Sequence, residues 1–313
     1  MNKAGTPYTE MIQDSTVSSR QKFKKLILEI KALIKIGIIN SNLITTFTGL
    51  WLAIYFTDSS LKFHWEVLVL TLLGSALVIA GGCIVNNWFD VDIDPKMERT
   101  KNRPTVTGFF PLKTVLLIGL VTTAIGLLLL YFTTIEAALF ALFGWFVYVI
   151  LYTMWSKRKT TLNTIVGSFS GAMPPLIGWA AISPEFHVIP LALFLIMFIW
   201  QTPHFLSLAM KKTEDYREAR VPMLPVVYGF TITKRQIVIY TLCLLPLPFF
   251  MTSLGMVFVV ISTLLNIGWL IIGFKGFFVK DDLKWANMMF IYSLNYLTIV
   301  FLLMIIVTLP IFN

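Results

Sequence analysis

WEVLVLTLLGSALVIAGGCIVNNWFDVDIDPKMERTKNRP, residues 65–104, sets an apolar run from Trp65 to Phe89 directly against a cluster of carboxylates followed by basic residues. A run of this kind is long enough to cross roughly 30 Å of hydrocarbon at about 1.5 Å per helical residue. Carboxylates beside a membrane helix are costly unless compensated, and a divalent cation carrying a phosphorylated ligand compensates them.

Composition extends that reading to the whole chain. Its 313 residues are 57% hydrophobic and only 13% charged, and the mean hydropathy is +0.80, values that suit a bilayer and exclude a soluble domain of this length. Apolar stretches recur, and the expected fold class is all-α: a polytopic membrane protein with nine transmembrane helices bundled around a central cavity. The expected spans are Ile36–Phe56, Trp65–Phe89, Leu112–Phe132, Ile135–Trp155, Leu162–Ile182, Val188–Ala209, Ile237–Ser253, Met256–Phe274 and Trp285–Leu309. Pro246 and Pro248 threaten the seventh. The expected organisation is an N-terminal segment, 1–35, followed by a single membrane domain, 36–313. That first segment is long and polar, unlike a cleaved signal peptide, so the first span is expected to stay attached.

Lys and Arg test the topology, because they concentrate in cytoplasmic loops. With the N-terminus inside, 24 of the 25 fall on the inside and only Lys62 lies outside. The N-terminus and both long polar loops are therefore expected on the cytoplasmic face. Inside-facing loops beside anionic lipid account for the net charge of +9, which removes the reason to invoke nucleic acid. Cys83 and Cys243 fall within expected spans and read as packing residues. The aromatic 14% of the chain is expected largely at lipid-facing and interface positions.

The first polar loop runs from about Asp90 to Lys113. If the second helix continues past its apolar run, Asn86, Asp90 and Asp94 repeat at i, i+4, i+8 and share one face, with Asn87 beside it and Asp92 pointing elsewhere. Carboxylates at i, i+4 repel on a bare helix, and a cation reverses the sign. Magnesium suits the position, since it takes one or two carboxylates together with phosphate oxygens. Spacing alone fits equally a solvated helix end terminated by Pro95.

A second loop, KKTEDYREARVPMLPVVYGFTITKR at 211–235, follows the sixth span as the first loop follows the second. The parallel suggests two related halves that bring both loops over one cavity; a solvated loop is the plainer reading. Between the fourth and fifth spans, SKRKTTLN at 156–163 is a basic turn. Its ordinary meaning is a topology signal, but over the same cavity Lys157 and Arg158 would hold phosphate oxygens. His64 and His187 sit in expected outside loops as surface residues. His204, in WQTPHF beside the helix-loosening Pro203, is an intramembrane ionisable residue and so a site candidate, with helix packing as its rival.

Together these segments resemble a known family. Asn86, Asp90, Asp92, Asp94, Met97, Arg99, Thr100, Arg103 and Pro104 resemble the signature of protoheme IX farnesyltransferases, or heme O synthases, within the intramembrane aromatic prenyltransferase superfamily. YTMWSKRKTTLN (152–163), WQTPHF (200–205) and DYREARVPMLPVV (215–227) are similar to further segments of that family. Three departures stand out. Asn87 replaces a common Asp, Asp215 is preceded by Glu214 without the second Asp of quinone-forming relatives, and Arg220 stands where a small or neutral residue is usual.

The resemblance implies transfer of a farnesyl group from farnesyl diphosphate to a vinyl carbon of heme B, with addition of water. It implies magnesium as cofactor on Asp90, Asp94 and Asp215, supported by Asn86 and Asn87. It implies diphosphate clamps at Arg99, Arg103, Lys157 and Arg158, with Asn163 and Tyr216 at the same subsite and His204 against heme. It further implies a bacterial-type plasma membrane, with a heme-modifying enzyme or terminal oxidase as recipient of the product. Two alternatives remain at this level: a prenyltransferase for a quinone precursor or other aromatic acceptor, and a cation-coupled transporter, whose coupling carboxylates would be expected nearer the midplane.

Overall fold

The computed structural model describes residues 19–309; the first part of the expected N-terminal segment, 1–18, and the chain end at 310–313 lie outside the described residues. Among the described residues the structure is helical, without strands. Helix α1 (Ser19–Ile34) packs Leu33 against Ile84 and Val115. Lys35 then takes a left-handed conformation, φ 54°, and turns the chain into α2 (Ile36–Phe56). The bundle continues with α3 (Trp65–Phe89), α4 (Leu112–Tyr131), α5 (Ile135–Phe146), α6 (Asn163–Gly171), α7 (Met173–Ala180) and α8 (Val188–Lys211). It closes with α9 (Thr213–Glu218), α10 (Leu224–Cys243), α11 (Met256–Lys275) and α12 (Asp282–Val307).

Eight helical segments among the described residues are long and apolar enough to cross a membrane. The first two coincide with the expected spans end to end. The fifth expected span, 162–182, differs: it is two short helices, α6 and α7, broken at Ala172. Pro174 and Pro175 supply no N–H donors to a continuous helix, and Pro sits comfortably only in the first turn of a new one. The seventh begins earlier than expected, at Leu224, so that most of the polar stretch 211–235 is helical, with a non-helical step at Gly229 (φ 74°). After Cys243 the chain tightens into a 3₁₀ stretch, Leu247–Leu254, where Pro246 and Pro248 interrupt the α-helical ladder. Pro203, by contrast, sits inside α8 without ending it.

Glycines set the closest helix approaches. A Cβ on Gly81 of α3 would lie 2.2 Å from Thr123 Oγ1 and 2.7 Å from the Gly119 carbonyl of α4. One on Gly178 of α7 would lie 1.9 Å from the Thr46 carbonyl of α2. In lipid, where apolar surface is not expelled from its solvent, such backbone approach is a main source of helix association. Helices α2 and α12 meet through Trp51 Nε1, which donates to Thr308 Oγ1 at 2.8 Å.

The chain after α5 departs most from expectation. Val147–Ser156 is wound as a π-helix rather than an α-helix. This wider winding stacks Tyr148 on Tyr152, with centroids 5.8 Å apart at 15°, and turns both rings toward the interior. It also carries Thr153 to Asn86 of α3, whose Nδ2 donates to Thr153 Oγ1 at 2.9 Å.

Candidate active site

A cavity of about 440 Å³ runs inward from the loop after α3. Six residues of α3 line it at helical spacing: Ser75, Val78, Ile79, Gly82, Cys83 and Asn86. A second face on α8, Met197, Trp200, Gln201, His204, Phe205 and Leu208, repeats the same intervals on another wall. The π-helix contributes Tyr148 and Tyr152, and α7 contributes Met173, Pro174 and Ile177.

Charge gathers at the mouth. Helix α3 does not continue as an α-helix beyond Phe89; Asp90–Asp92 and Asp94–Lys96 form two 3₁₀ turns, because Pro95 cannot extend an α-helical ladder. Asn86 and Asp90 nevertheless share a face, with Asn86 Nδ2 donating to Asp90 Oδ2 at 2.8 Å. Asp94 reaches the cavity wall by the second turn instead of by helical repetition. Both carboxylates are fully buried. Asp90 is ion-paired to Lys157 and to Arg158, the latter at 3.3 Å. Asp94 Oδ2 accepts from Arg103 Nη1 at 2.6 Å, while its Oδ1 is buried with no partner.

The wall itself carries Lys35, Arg99, Arg103 and Lys157 against a single carboxylate, Asp94. Cations in a partly water-excluded recess act with little screening, so the mouth is built for an anion of several charges. Arg99 has no hydrogen bond or ion pair among the described residues. Lys35 donates to Asn86 Oδ1. Burial, with the neighbouring Arg103 cation, lowers its amine to about 7. As the last charge before the first span it reads as a topology signal, and sequence spacing offered no sign that it turns inward.

Several expected site residues serve the frame. Arg158 binds Asp92 at 2.7 and 2.8 Å and the Phe89 carbonyl at 3.0 Å, lies over the Phe89 ring, and is absent from the cavity wall. Asp92 points outward, as its angular position predicts, with its side chain 59% exposed. Asn87 donates to the Leu33 carbonyl at 2.7 Å and anchors α1. Asn163 donates to the Thr160 and Pro222 carbonyls, at 2.9 and 3.5 Å, joining the basic turn to the second loop. Asp215 lies off the cavity wall, 3.7 Å from Lys212, whereas Tyr216 lines the wall. Arg220 adopts φ 55°, a left-handed conformation that favours Gly or Asn.

His204 is on the cavity wall, between Trp200 (4.7 Å, 20°) and Phe290 (4.9 Å, 26°). Its Nδ1 is 2.7 Å from Ser293 Oγ. Ser293 donates its only hydroxyl proton to the Phe290 carbonyl at 2.6 Å, so Nδ1 is assigned as the N–H donor and Nε2 keeps its lone pair. Trp200 Nε1 holds the same residue by its carbonyl at 2.9 Å. His187, expected as a plain surface residue, instead caps α8 by accepting from Ile189 N at 3.2 Å and stacks on Trp179.

A recess that gathers cations around one orphaned carboxylate oxygen, above an apolar interior, is the arrangement that a prenyl diphosphate requires. The sequence pattern of the UbiA prenyltransferase family matches residues 42–294. The chain belongs to the UbiA prenyltransferase family. Within that family it groups with the protoheme IX farnesyltransferases. The one from Oceanobacillus iheyensis is 66% identical over 314 residues, 100% of each chain, and that of Geobacillus sp. strain WCH70 is 59% identical over 300 residues, 96% of this chain and 97% of the other. The UbiA fold is also seen in a digeranylgeranylglyceryl phosphate synthase structure, at a TM-score of 0.72 and 18% identity over 90% of this chain and 98% of that one. A UbiA homolog from Archaeoglobus fulgidus bound to GPP and Mg2+ matches at 0.63 and 15% identity, over 88% and 99%. The chain is thus a membrane prenyltransferase.

Proposed function

We propose that this UbiA-family enzyme transfers the farnesyl group of farnesyl diphosphate to a vinyl group of heme B, with addition of water, to give heme O and diphosphate. The observation that carries the reading is the pairing of a cation-rich mouth with an oriented imidazole in the lining of one largely apolar cavity.

In this reading Arg99, Arg103, Lys35 and Lys157 hold the diphosphate, and Arg103 and Lys157 exchange their carboxylate partners for phosphate oxygens as it arrives. Their charge lowers the barrier to breaking the C1–O bond, whose electron pair leaves with diphosphate. The vinyl π electrons form the new bond to C1. The cation left beside the porphyrin takes the oxygen of water, which loses a proton. Tyr148 and Tyr152 present ring faces to the electron-poor C1 and keep water from it. His204 meets the heme iron through Nε2, and Ser293 fixes the ring's tautomer and tilt.

Magnesium fits the residues present at one position. Asp94, with its unpartnered Oδ1 on the wall, would hold it, and magnesium bound there would neutralise charge on the leaving diphosphate. Asp90 joins as a ligand only if Lys157 releases it, and Asp215 supports the second loop from outside the wall. The loops lie on the cytoplasmic face of the cell membrane, and the product passes to a heme-modifying enzyme or a terminal oxidase.

The test is incubation of purified protein with heme B, farnesyl diphosphate and magnesium, with mass analysis of the extracted heme. A farnesylated and hydrated heme is expected. Unaltered heme beside a prenylated quinone precursor would replace the reading.

A further inference from the structure

The cavity has two ends of different character. Toward α2, α8 and α12 it is lined by Ile38, Phe205 and Leu294, all more than 40% exposed, so that side is open. Toward α3, α5 and α7 it ends on Val78, Ala141, Met173 and Ile177, none more than 5% exposed. These four belong to one packed cluster that also contains Leu130, Ala137, Ala180 and Ala181. An open end cannot measure a ligand; a closed one can.

We propose that Ser75 and Val78 of α3, Ala141 of α5, and Met173 and Ile177 of α7 form a floor that sets the length of the prenyl chain. This rests on the prenyl-diphosphate reading and adds the element that selects among chain lengths. From Asn86 at the charged mouth to Ser75 at the floor is three turns of α3, about 16 Å at 1.5 Å per residue. Three isoprene units laid end to end extend over a comparable distance. Fewer units leave the floor unfilled, and a fourth has to displace packed side chains, which interiors resist.

The walls support the same direction. Between mouth and floor the α3 face offers Gly82, Ile79 and Val78, and the facing chain offers Tyr148, Gly144 and Ala141, a slot of apolar and aromatic surface. Gly144 admits little more, since a Cβ there would meet Met173 Cγ at 3.1 Å. At the floor, Ser75 Oγ is buried without a hydrogen-bond partner. Replacing it with a hydrocarbon therefore fills volume and breaks no bond. The open side, by contrast, is lined by Phe205, whose ring lies 5.0 Å from that of His204, and suits the bulky acceptor.

The experiment compares geranyl, farnesyl and geranylgeranyl S-thiolodiphosphates, which bind without reacting, on wild type, Ser75→Leu, Ala141→Leu and Ile177→Ala in detergent. Binding of inorganic diphosphate reports that each variant is folded. Wild type is expected to prefer the farnesyl analogue. The two Leu variants are expected to shift the geranyl-to-farnesyl affinity ratio toward geranyl by about tenfold or more, a scale typical of one or two methylenes in an apolar pocket. Ile177→Ala, which removes bulk, is expected to move preference toward geranylgeranyl and decides the matter if the Leu variants do not fold. Unchanged ratios in the folded variants would overturn the floor. Because no acceptor is present, this outcome is separate from failure of heme B farnesylation, which the mass assay reads in wild type.

Discussion

Helices α3 and α8 line the same cavity with residues at the same intervals, and they carry opposite chemistry. The α3 face is small and apolar and passes into two buried carboxylates, while the α8 face is aromatic and carries His204. The loops that follow differ as sharply. Asp94 stands on the wall with a free oxygen, but Asp215 sits off the wall beside Lys212. Equal spacing and equal acidity thus do not make equal sites. Burial and direction toward the cavity separate a ligand-facing carboxylate from a solvated one.

That asymmetry is open to direct attack. Asp94→Asn is expected to lower product formation by about 10³-fold, on the scale of losing a principal charge stabiliser at a leaving group, whereas Asp215→Asn lowers it by no more than about tenfold. Equal losses would restore a symmetric two-loop site. Next in size, Lys157→Met leaves Asp90 buried with only Arg158 and Asn86 against it. Breaking a buried pair from one side costs about 3–5 kcal/mol where no counter-charge remains; with Arg158 still 3.3 Å from Asp90 the loss should fall below that range, and thermal unfolding in detergent should still shift down clearly. Lys212→Met, which removes a long, partly exposed ion pair to Asp215 at 3.7 Å, should leave it within about 0.5 kcal/mol.

On the α8 side the expected effects are smaller. His204→Ala should weaken heme retention by about tenfold to a hundredfold with inorganic diphosphate binding unchanged. Ser293→Ala should alter the visible spectrum of bound heme, and Ser293→Thr should restore it, because the hydroxyl acts by holding Nδ1. Retention of heme at wild-type affinity by His204→Ala would remove the imidazole from the site. Smallest of all, Arg220→Gly relieves a left-handed backbone and should stabilise the protein by up to about 1 kcal/mol without changing turnover, as read by thermal unfolding and by product mass.

Much of the bundle was legible because a membrane segment must be apolar and about the right length. Ile36–Phe56 and Trp65–Phe89 were readable to the residue. Local backbone departures were not. The break at Ala172 and the π-winding of Val147–Ser156 leave the hydropathy of the chain unchanged while redirecting Tyr148 and Tyr152. At the site, the outward angle of Asp92 followed from helical geometry. The inward turn of Lys35 and the diversion of Arg158 to Asp92 depended on neighbours far away in the chain.

Order along the chain was therefore enough for membrane residence, helix positions and the family motif, since hydrophobic length and residue spacing are local properties. Three-dimensional packing alone decided which carboxylate keeps an unpaired oxygen, which cations face the cavity, and which imidazole nitrogen stays bare. Those outcomes depend on hydrogen bonds and ion pairs between residues such as Asp90 and Lys157, or His204 and Ser293, that are distant in the chain and become neighbours only in the folded bundle.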